Sequence, residues 1–233
     1  NGSKIFFTAE GLTYRFDRTE FTKEHEGKAI TNTKETDFDL IAEMEREKKN
    51  RIITRSYFVN MKWLGANPGV IIETLEPQSE YYNYTLTKDE HIFGARAFKK
   101  LVYKNLYPNI DVEYVFHPVE GIKYSFILHP GADASQIKMQ YSGSKNIYQD
   151  DKGHIHFSTE ADDIIDHAPE TFYENREKIS SSFKLNGNIV SFILDHYDTS
   201  KKIIIDPWTT NPAFASDNKV FDIQTDGVGN VYV

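Results

Sequence analysis

The stretch that decides the fold is residues 101–128, LVYKNLYPNIDVEYVFHPVEGIKYSFIL. Two of its runs alternate apolar and polar side chains with a period of two, which is typical of half-buried β-strands. The segment 117–121 between the runs carries a proline and a glycine, residues that turns favour. We therefore predict an antiparallel hairpin at the centre of a sheet. Its apolar stripes are Ile110, Val112, Tyr114 and Phe116, then Ile122, Tyr124, Phe126 and Leu128.

The same region carries a series of recognisable motifs. NLYPNID (105–111) is followed by an aromatic-rich strand and by KYSFILHPGADASQI (123–137), and WLGANPGV (63–70) lies upstream. This order resembles a bacterial secreted domain of unknown function that usually precedes SBBP-type β-propeller repeats. Asn109 stands where that family usually has Gly, Ser125 where it has Asp, and Ala134 where it has Pro. The resemblance covers about residues 5–233, and it supplies no biochemical activity.

A second motif narrows the resemblance. IDPWTTNP (205–212) is similar to a segment of Bacteroidota surface proteins that carry gliding-motility-type C-terminal sorting signals. That similarity implies export by a type IX pathway and an extracellular or cell-surface location. The chain begins with Asn1 rather than Met and ends in a strand-like stretch, so we interpret it as a piece of a longer protein.

Composition excludes several classes of protein. Aromatic residues make up 14% of the 233 residues, which favours strands. The net charge of −8 argues against a nucleic-acid partner, because phosphate binding needs a clustered basic surface. Without cysteine, the chain has no disulfide and no thiolate site. No apolar run reaches the roughly 18 residues of a membrane span, so we predict no membrane insertion.

The coarse pattern predicts an all-β fold of antiparallel, β-sandwich-like sheets with many hairpins. Hairpin signals stand at Gly153 and at Asn186-Gly187. One surface helix is predicted at about residues 36–49, where Thr36 can cap the first turn and the last turn is basic. Residues 4–16 are predicted to form two short strands around Glu10-Gly11. The resembling family has a further strand just upstream that this sequence lacks, so the resemblance implies an exposed sheet edge here.

The predicted β-rich domain covers residues 1–207, either as one unit or as two sub-sheets that divide near residues 76–100. Residues 208–233 are predicted to be a linker and the first strands of a following propeller-like repeat region.

Turn chemistry predicts a set of structural positions. Pro108 suits the second position of a β-turn. The Gly that the resembling family usually has at the third position implies a type II turn, and Asn109 tolerates the positive φ that this turn requires there. Within the family resemblance, Asp111 is expected to bond backbone amides, and an Ile-Asp-Pro ends the domain. The structural turn residues predicted in this way are Pro108, Asn109, Asp111, Pro130, Gly131, Asp206 and Pro207.

A ligand surface is suggested by the tyrosines of EYYNYT, which are Tyr81, Tyr82 and Tyr84. Clustered aromatic rings beside a turn can form a sugar-stacking platform. The simpler interpretation is that most of these rings belong to the core and one is exposed.

Metal sites have weaker support. His154 and His156 point to one face of a strand, and His167 or Asp162 would have to complete a zinc site. Alternating polar residues on an exposed face explain the histidine pair more simply. Calcium at the acidic turns Asp150-Asp151 and Asp162-Asp163 stays open, although no EF-hand-type loop occurs. We predict no bound cofactor and no transition metal.

Catalytic patterns are equally sparse. Asp111 and Glu113 share a strand face, and paired carboxylates can hydrolyse glycosides, but the polar side of a sheet looks the same. Ser180-Ser181-Ser182 lacks the glycines of a nucleophile elbow. The sequence therefore favours a non-enzymatic structural or adhesive module of a secreted or surface protein. A carbohydrate-binding module is the alternative, and a hydrolase is least favoured. Expected partners are neighbouring modules of the same chain and surface glycans or proteins.

Overall fold

A computed structural model describes residues 2–21, 52–85, 91–117, 121–160, 163–210, 224–225 and 231–232. Within these ranges the chain consists of β-strands, turns and a short 3₁₀ helix at Ala134–Gln136. The surface helix predicted at about residues 36–49 lies outside the described residues. None of the described helical residues belongs to a helix long and apolar enough to cross a membrane.

The strands are numbered in chain order. They are β1 Gly2–Thr8, β2 Gly11–Phe21, β3 Ile52–Trp63, β4 Ile71–Thr85, β5 His91–Tyr107, β6 Ile110–His117, β7 Gly121–Leu128, β8 Met139–Ser142, β9 Asn146–Gln149, β10 Ile155–Ser158, β11 Asp163–Tyr173, β12 Lys178–Ile179, β13 Ser181–Asn186, β14 Ile189–Leu194, β15 Ile203–Thr210, β16 Gln224–Thr225 and β17 Val231–Tyr232.

These strands form two antiparallel sheets. Sheet A has the order β13-β14-β8-β3-β2-β1-β17-β16, and sheet B has the order β4-β5-β6-β7-β15-β11-β10-β9, with β12 beside β11. Strands from distant parts of the chain meet in each sheet, for example β3 with β8 and β7 with β15. The predicted all-β class with antiparallel, sandwich-like sheets is confirmed.

The hairpin that decides the fold is the β6–β7 pair of sheet B. Its register places Tyr114 opposite Tyr124 and Val112 opposite Phe126, as the alternation predicts. β5 pairs with the outer side of β6, and β15 pairs with the outer side of β7. The hairpin therefore lies in the interior of its sheet, where both of its strands keep their backbone bonds.

The apolar stripes of the two sheets pack against each other in one core. The ring centroids of Phe7 on β1 and Tyr114 on β6 lie 4.8 Å apart. Phe126 on β7 has its ring centroid 5.8 Å from Trp63 on β3 and 5.2 Å from Phe192 on β14. Edge-to-face contacts of this kind add to the free energy of burying the rings. The core therefore depends on aromatic residues from both sheets.

The structure corrects the prediction that Asp206 and Pro207 form a turn that ends a strand. Both residues lie inside β15, which continues to Thr210. Ala168 and Pro169 of β11 together face Pro207, because the pairing shifts by one residue between His167 and Glu170. This β-bulge interrupts the ladder at the position where proline has no N–H to donate. β15 can therefore contain a proline without a large loss of backbone bonding.

Two smaller expectations also change. β17 pairs with β1 through Phe6 and Phe7, so part of the predicted exposed edge is covered. The β13–β14 hairpin has Gly187 and Asn188 as its two loop residues, one position later than predicted. Gly187 has φ 61°, and a positive φ at the first loop position alone is typical of a type II′ turn.

Candidate functional site

The first polar cluster surrounds Asp111 on the outer face of sheet B, and its carboxylate is buried. Oδ1 accepts a hydrogen bond from the Asn105 backbone amide at 2.8 Å. Oδ2 lies 3.0 Å from Lys104 Nζ and 3.1 Å from His129 Nε2. Burial alone would raise the pKa of Asp111, but these three partners lower it below its ordinary value. The carboxylate therefore stays ionised and ties β5, β6 and the loop after β7 together.

The turns around Asp111 have the geometry that the sequence predicts. Asn109 follows Pro108 and has φ 60°, the left-handed conformation expected at the third position of a type II turn. Its carbonyl accepts a bond from His129 N at 2.9 Å. Pro130 and Gly131 occupy the next turn, where Gly131 has φ 83° and Ala132 N donates to His129 O at 3.0 Å. Asp111, Asn109 and His129 thus form one bonded unit.

The second carboxylate of the predicted pair is Glu113, and it also has a lysine partner. Lys100 Nζ on β5 lies 3.2 Å from Glu113 Oε1 and 3.6 Å from Glu76 Oε1. Partial burial would lower the pKa of Lys100, but the two glutamates raise it. A glycoside hydrolase needs one carboxyl group that holds a proton near neutral pH. The lowered pKa of Asp111 does not suit that role, and these contacts favour a structural interpretation of the pair.

A third carboxylate was missed by the sequence reasoning. Asp166 on β11 lies between the sheets and is 1% exposed. Its Oδ2 accepts hydrogen bonds from Tyr124 Oη at 3.1 Å and from Tyr141 Oη at 3.3 Å, and its Oδ1 accepts one from Thr209 Oγ1. Tyr124 and Thr209 belong to sheet B, whereas Tyr141 belongs to sheet A. The bonds to Asp166 therefore join the two layers through the core.

The environment of Asp166 changes its titration. Burial raises its pKa to about 6, although the three hydroxyl donors oppose the shift. The burial of Tyr14 on β2, together with the charge of Asp166, raises the pKa of Tyr14 far above its ordinary value. No lysine, arginine or histidine is among the bonding partners of Asp166 in the structure's described ranges. The group is consequently a buried acid held by neutral donors.

The histidine pair that was weighed as a zinc site belongs to a row of packed side chains. His154 Nδ1 accepts a hydrogen bond from Ala168 N at 2.9 Å, an amide that the β11 bulge leaves available. This bond assigns the proton of His154 to Nε2, so neither ring nitrogen offers a free lone pair. His156 Nε2 lies 3.0 Å from Asp150 Oδ2. Among the described residues, no three histidine or acidic side chains are arranged to hold a metal ion.

Pairing of neighbouring strands brings the rings of this row into contact. His167 stacks on Trp208 with centroids 3.7 Å apart and planes 6° apart, and Tyr148 stacks on His156 at 4.7 Å and 5°. Burial, followed by the nearby His154 and His156, lowers the pKa of His167. Stacking covers one face of each of these rings, and Tyr148 on the edge strand β9 remains 41% exposed.

The Asp150 turn, one of the two acidic turns considered for calcium, bonds its own backbone. Asp150 Oδ1 accepts from Lys152 N and His154 N, each at 2.9 Å. The bond from His156, with those backbone amides, lowers the pKa of Asp150 to about 2. Asp162 lies outside the described residues. Asp150 thus stabilises the β9–β10 turn, as aspartate commonly does in turns.

The three tyrosines proposed as a ligand surface do not share one face. Tyr81 pairs with Arg96 and is 67% exposed, whereas Tyr82 pairs with Ala95 and is half-buried. Successive residues of a strand point to opposite sides, so the side chains of Tyr81 and Tyr82 lie on opposite faces of the β4–β5 hairpin. Tyr84 pairs with Ile92 in the backbone ladder, and its side chain lies outside the described part of the chain.

The comparison with known proteins places the chain in a family. A family model described as a domain of unknown function (DUF7948) matches residues 1–208. The chain belongs to this family. No curated protein and no solved structure matches it.

The DUF7948 match ends at residue 208, two residues before the end of β15. It includes the Asp111 cluster, the histidine row and, except for Thr209, the Asp166 cluster. A sequence signal for Asp166 did exist, because it follows the apolar Ile164 by two residues on a strand, and both side chains are buried on the same face. A lone acid at an inward position of a strand predicts a buried, bonded carboxylate.

Proposed function

We propose that the DUF7948 domain is a non-enzymatic structural or adhesive module of a secreted or cell-surface bacterial protein. The observation that supports it most is the bonding of the polar groups that could have been catalytic. Asp111 has three partners, Glu113 has a lysine, and the histidine row bonds the Ala168 amide of the bulge and the Asp150 carboxylate of a turn. These side chains hold strands and turns together, which is what a load-carrying or spacing module requires.

We also propose in what kind of protein the domain occurs. The motifs at 105–111 and 205–212 support a place ahead of SBBP-type β-propeller repeats in a Bacteroidota protein that is exported by a type IX pathway. Neighbouring modules of the same chain, together with glycans or proteins of the cell surface, are the proposed partners. The net charge of −8 supports a soluble surface and disfavours nucleic acid.

Adhesion can be measured with particles that carry the protein. Latex particles coated with residues 1–233 are passed over bacterial cells and over polysaccharide-coated glass, and particles coated with serum albumin are the control. We expect the coated particles to be retained several-fold more than the control particles on at least one of these surfaces. Equal retention of the two kinds of particle on every surface would overturn the adhesive part of the proposal.

A carbohydrate-binding module is the second candidate function. The observation that favours it is the large exposure of Tyr81, because an open ring face can stack on the apolar face of a sugar.

A further inference from the structure

The β4–β5 hairpin extends beyond the rest of sheet B. Lys100 of β5 is opposite Val115 of β6, and β6 ends at His117, so residues 91–97 of β5 run past the end of β6. They pair with residues 81–85 of β4. We call this two-stranded extension the arm. Over the described residues, neither strand of the arm has another strand beside it in sheet B.

A β-bulge turns one aromatic ring of the arm outward. Tyr82 pairs with Ala95 but Tyr84 pairs with Ile92, so β5 contains one extra residue between these pairs. Gly94 takes up the distortion with φ 70°, and its amide donates to Asn83 Oδ1 at 2.9 Å. The bulge places Phe93 on the side of the arm that carries Tyr81. Bulges often re-aim a side chain in this way.

The outward side of the arm is open and aromatic. Phe93 is 76% exposed and Tyr81 is 67% exposed. His91 stacks on Phe93 with centroids 5.8 Å apart and planes 22° apart, which supports the phenyl ring from one side. Arg96 and Asn83 are exposed on the same side, and they place a guanidinium group and an amide beside the rings. The surface therefore combines two ring faces with hydrogen-bond donors.

The size of this patch decides between kinds of partner. Each aromatic side chain offers roughly 150–250 Å² when fully exposed, so these two rings present roughly 300 Å². A stable protein partner needs roughly 800 Å² per side. A peptide that added a strand to β4 would meet Pro77, which has no N–H, and Glu76 at φ 58°. Neither a folded protein nor an added strand fits the arm well.

A saccharide fits these dimensions. Along the ladder, Tyr81 and Phe93 are separated by about two residues and one strand, which is roughly 8 Å between their backbones. Rings at that distance can each stack on the C–H face of one sugar unit, while Arg96 binds hydroxyl or acidic groups. We propose that Tyr81, Phe93 and Arg96 form a saccharide-binding surface on the arm. This inference rests on the proposed adhesive function and names its partner class.

The test uses residues 1–233 and a printed array of neutral and acidic oligosaccharides, with three variants. Phe93→Ala and Tyr81→Ala each remove one ring. Phe58→Ala is the matched control, because Phe58 is 45% exposed on β3 of sheet A. Thermal melts of all three variants check that the proteins are folded.

We expect the wild type and Phe58→Ala to bind the same oligosaccharides, and each arm variant to bind at least tenfold more weakly. Absence of binding to any oligosaccharide, or equal binding by the arm variants, would overturn the saccharide proposal. Particle retention separates this failure from failure of the adhesive function. If particles coated with the wild type and with Phe93→Ala are retained equally, and both more than albumin-coated particles, the adhesive function is supported but the arm is not its binding site.

Discussion

At the scale of the residue, Asn109 shows how a turn constrains side-chain choice. Its φ of 60° lies in the region that β-branched residues avoid. We expect Asn109→Val to lower the free energy of unfolding by about 1–2 kcal/mol through backbone strain. Asn109→Gly is the control and should be neutral or slightly stabilising. Urea denaturation of the three proteins measures the difference, and a valine variant as stable as the glycine variant would contradict the strain.

Asp111 should stabilise the fold in a pH-dependent way. Because its pKa is lowered in the folded state, its contribution is present above the unfolded pKa of about 3.9 and is lost as the pH falls. Asp111→Asn should lower the free energy of unfolding by about 1–3 kcal/mol at pH 7, since charged hydrogen bonds are lost. When both proteins are denatured at pH 7 and at pH 3, the difference in the free energy of unfolding between the wild type and Asp111→Asn should be smaller at pH 3. An equal difference at both values would show that the charge does not matter.

Asp166 should have the opposite pH dependence. Its folded pKa of about 6 is raised, so its contribution is fully present below about pH 3.9 and is lost as the pH rises through 6. Relative to Asp166→Asn, the wild type should therefore lose about 2–3 kcal/mol of stability between pH 4 and pH 7. Denaturation midpoints of both proteins at unit pH steps test this. Parallel pH curves for the two proteins would contradict it.

At the scale of the element, close backbone contact fixes the position of β8 against β3. A Cβ on Gly143, just after β8, would lie 2.2 Å from the Phe58 carbonyl oxygen, and Gly143 has φ 88°. Backbone cannot move aside cheaply, so Gly143→Ala should cost about 3 kcal/mol or more from clash and strain together. Gly187→Ala is the matched control, because Gly187 has φ 61° but open space around it. Thermal melts should show a much larger drop in melting temperature for Gly143→Ala than for Gly187→Ala. Similar drops for the two variants would contradict the close contact at Gly143.

Local patterns allowed much of the element structure to be predicted. Alternation gave the register of β6 and β7, because a one-residue slip would expose Tyr114 and Tyr124. The positive φ of Asn109 was expected from Pro108 and from the Gly that the resembling family usually has in place of Asn109. The strand through Pro207 could not be predicted, because the bulge that accommodates this proline belongs to β11, about 40 residues earlier in the chain. The outward turn of Phe93 depends in the same way on a bulge at Gly94.

At the scale of the whole molecule, aromatic residues couple the two sheets. Phe126 is fully buried, and its ring contacts Trp63 and Phe192 of sheet A. Phe126→Ala should lower the free energy of unfolding by about 3–5 kcal/mol, because it leaves a cavity between the layers. The control Phe58→Ala removes an exposed ring and should change the free energy of unfolding by about 0.5 kcal/mol or less. A thermal melt of Phe126→Ala that matches the wild type would contradict this role.

The arrangement of the sheets was beyond the reach of the sequence. β3 pairs with β8, and β7 pairs with β15, so partners lie some 75 or more residues apart. Alternation tells which face of a strand is buried but not which distant strand lies beside it. The Asp166 cluster depends on that same arrangement, since its donors come from β7, β8 and β15. Candidate sites built from one strand were therefore easier to propose than the site that joins the sheets.

Our central proposal is that the carboxylates of this domain hold its strands together and do not act on a substrate. The most direct measurement is product release from a panel of polysaccharides and peptides, followed for the wild type, Asp111→Asn and Asp166→Asn. We predict that all three proteins release no more product than buffer does, while the two variants differ from the wild type in stability. Product release by the wild type that either substitution abolishes in a folded protein would contradict the claim.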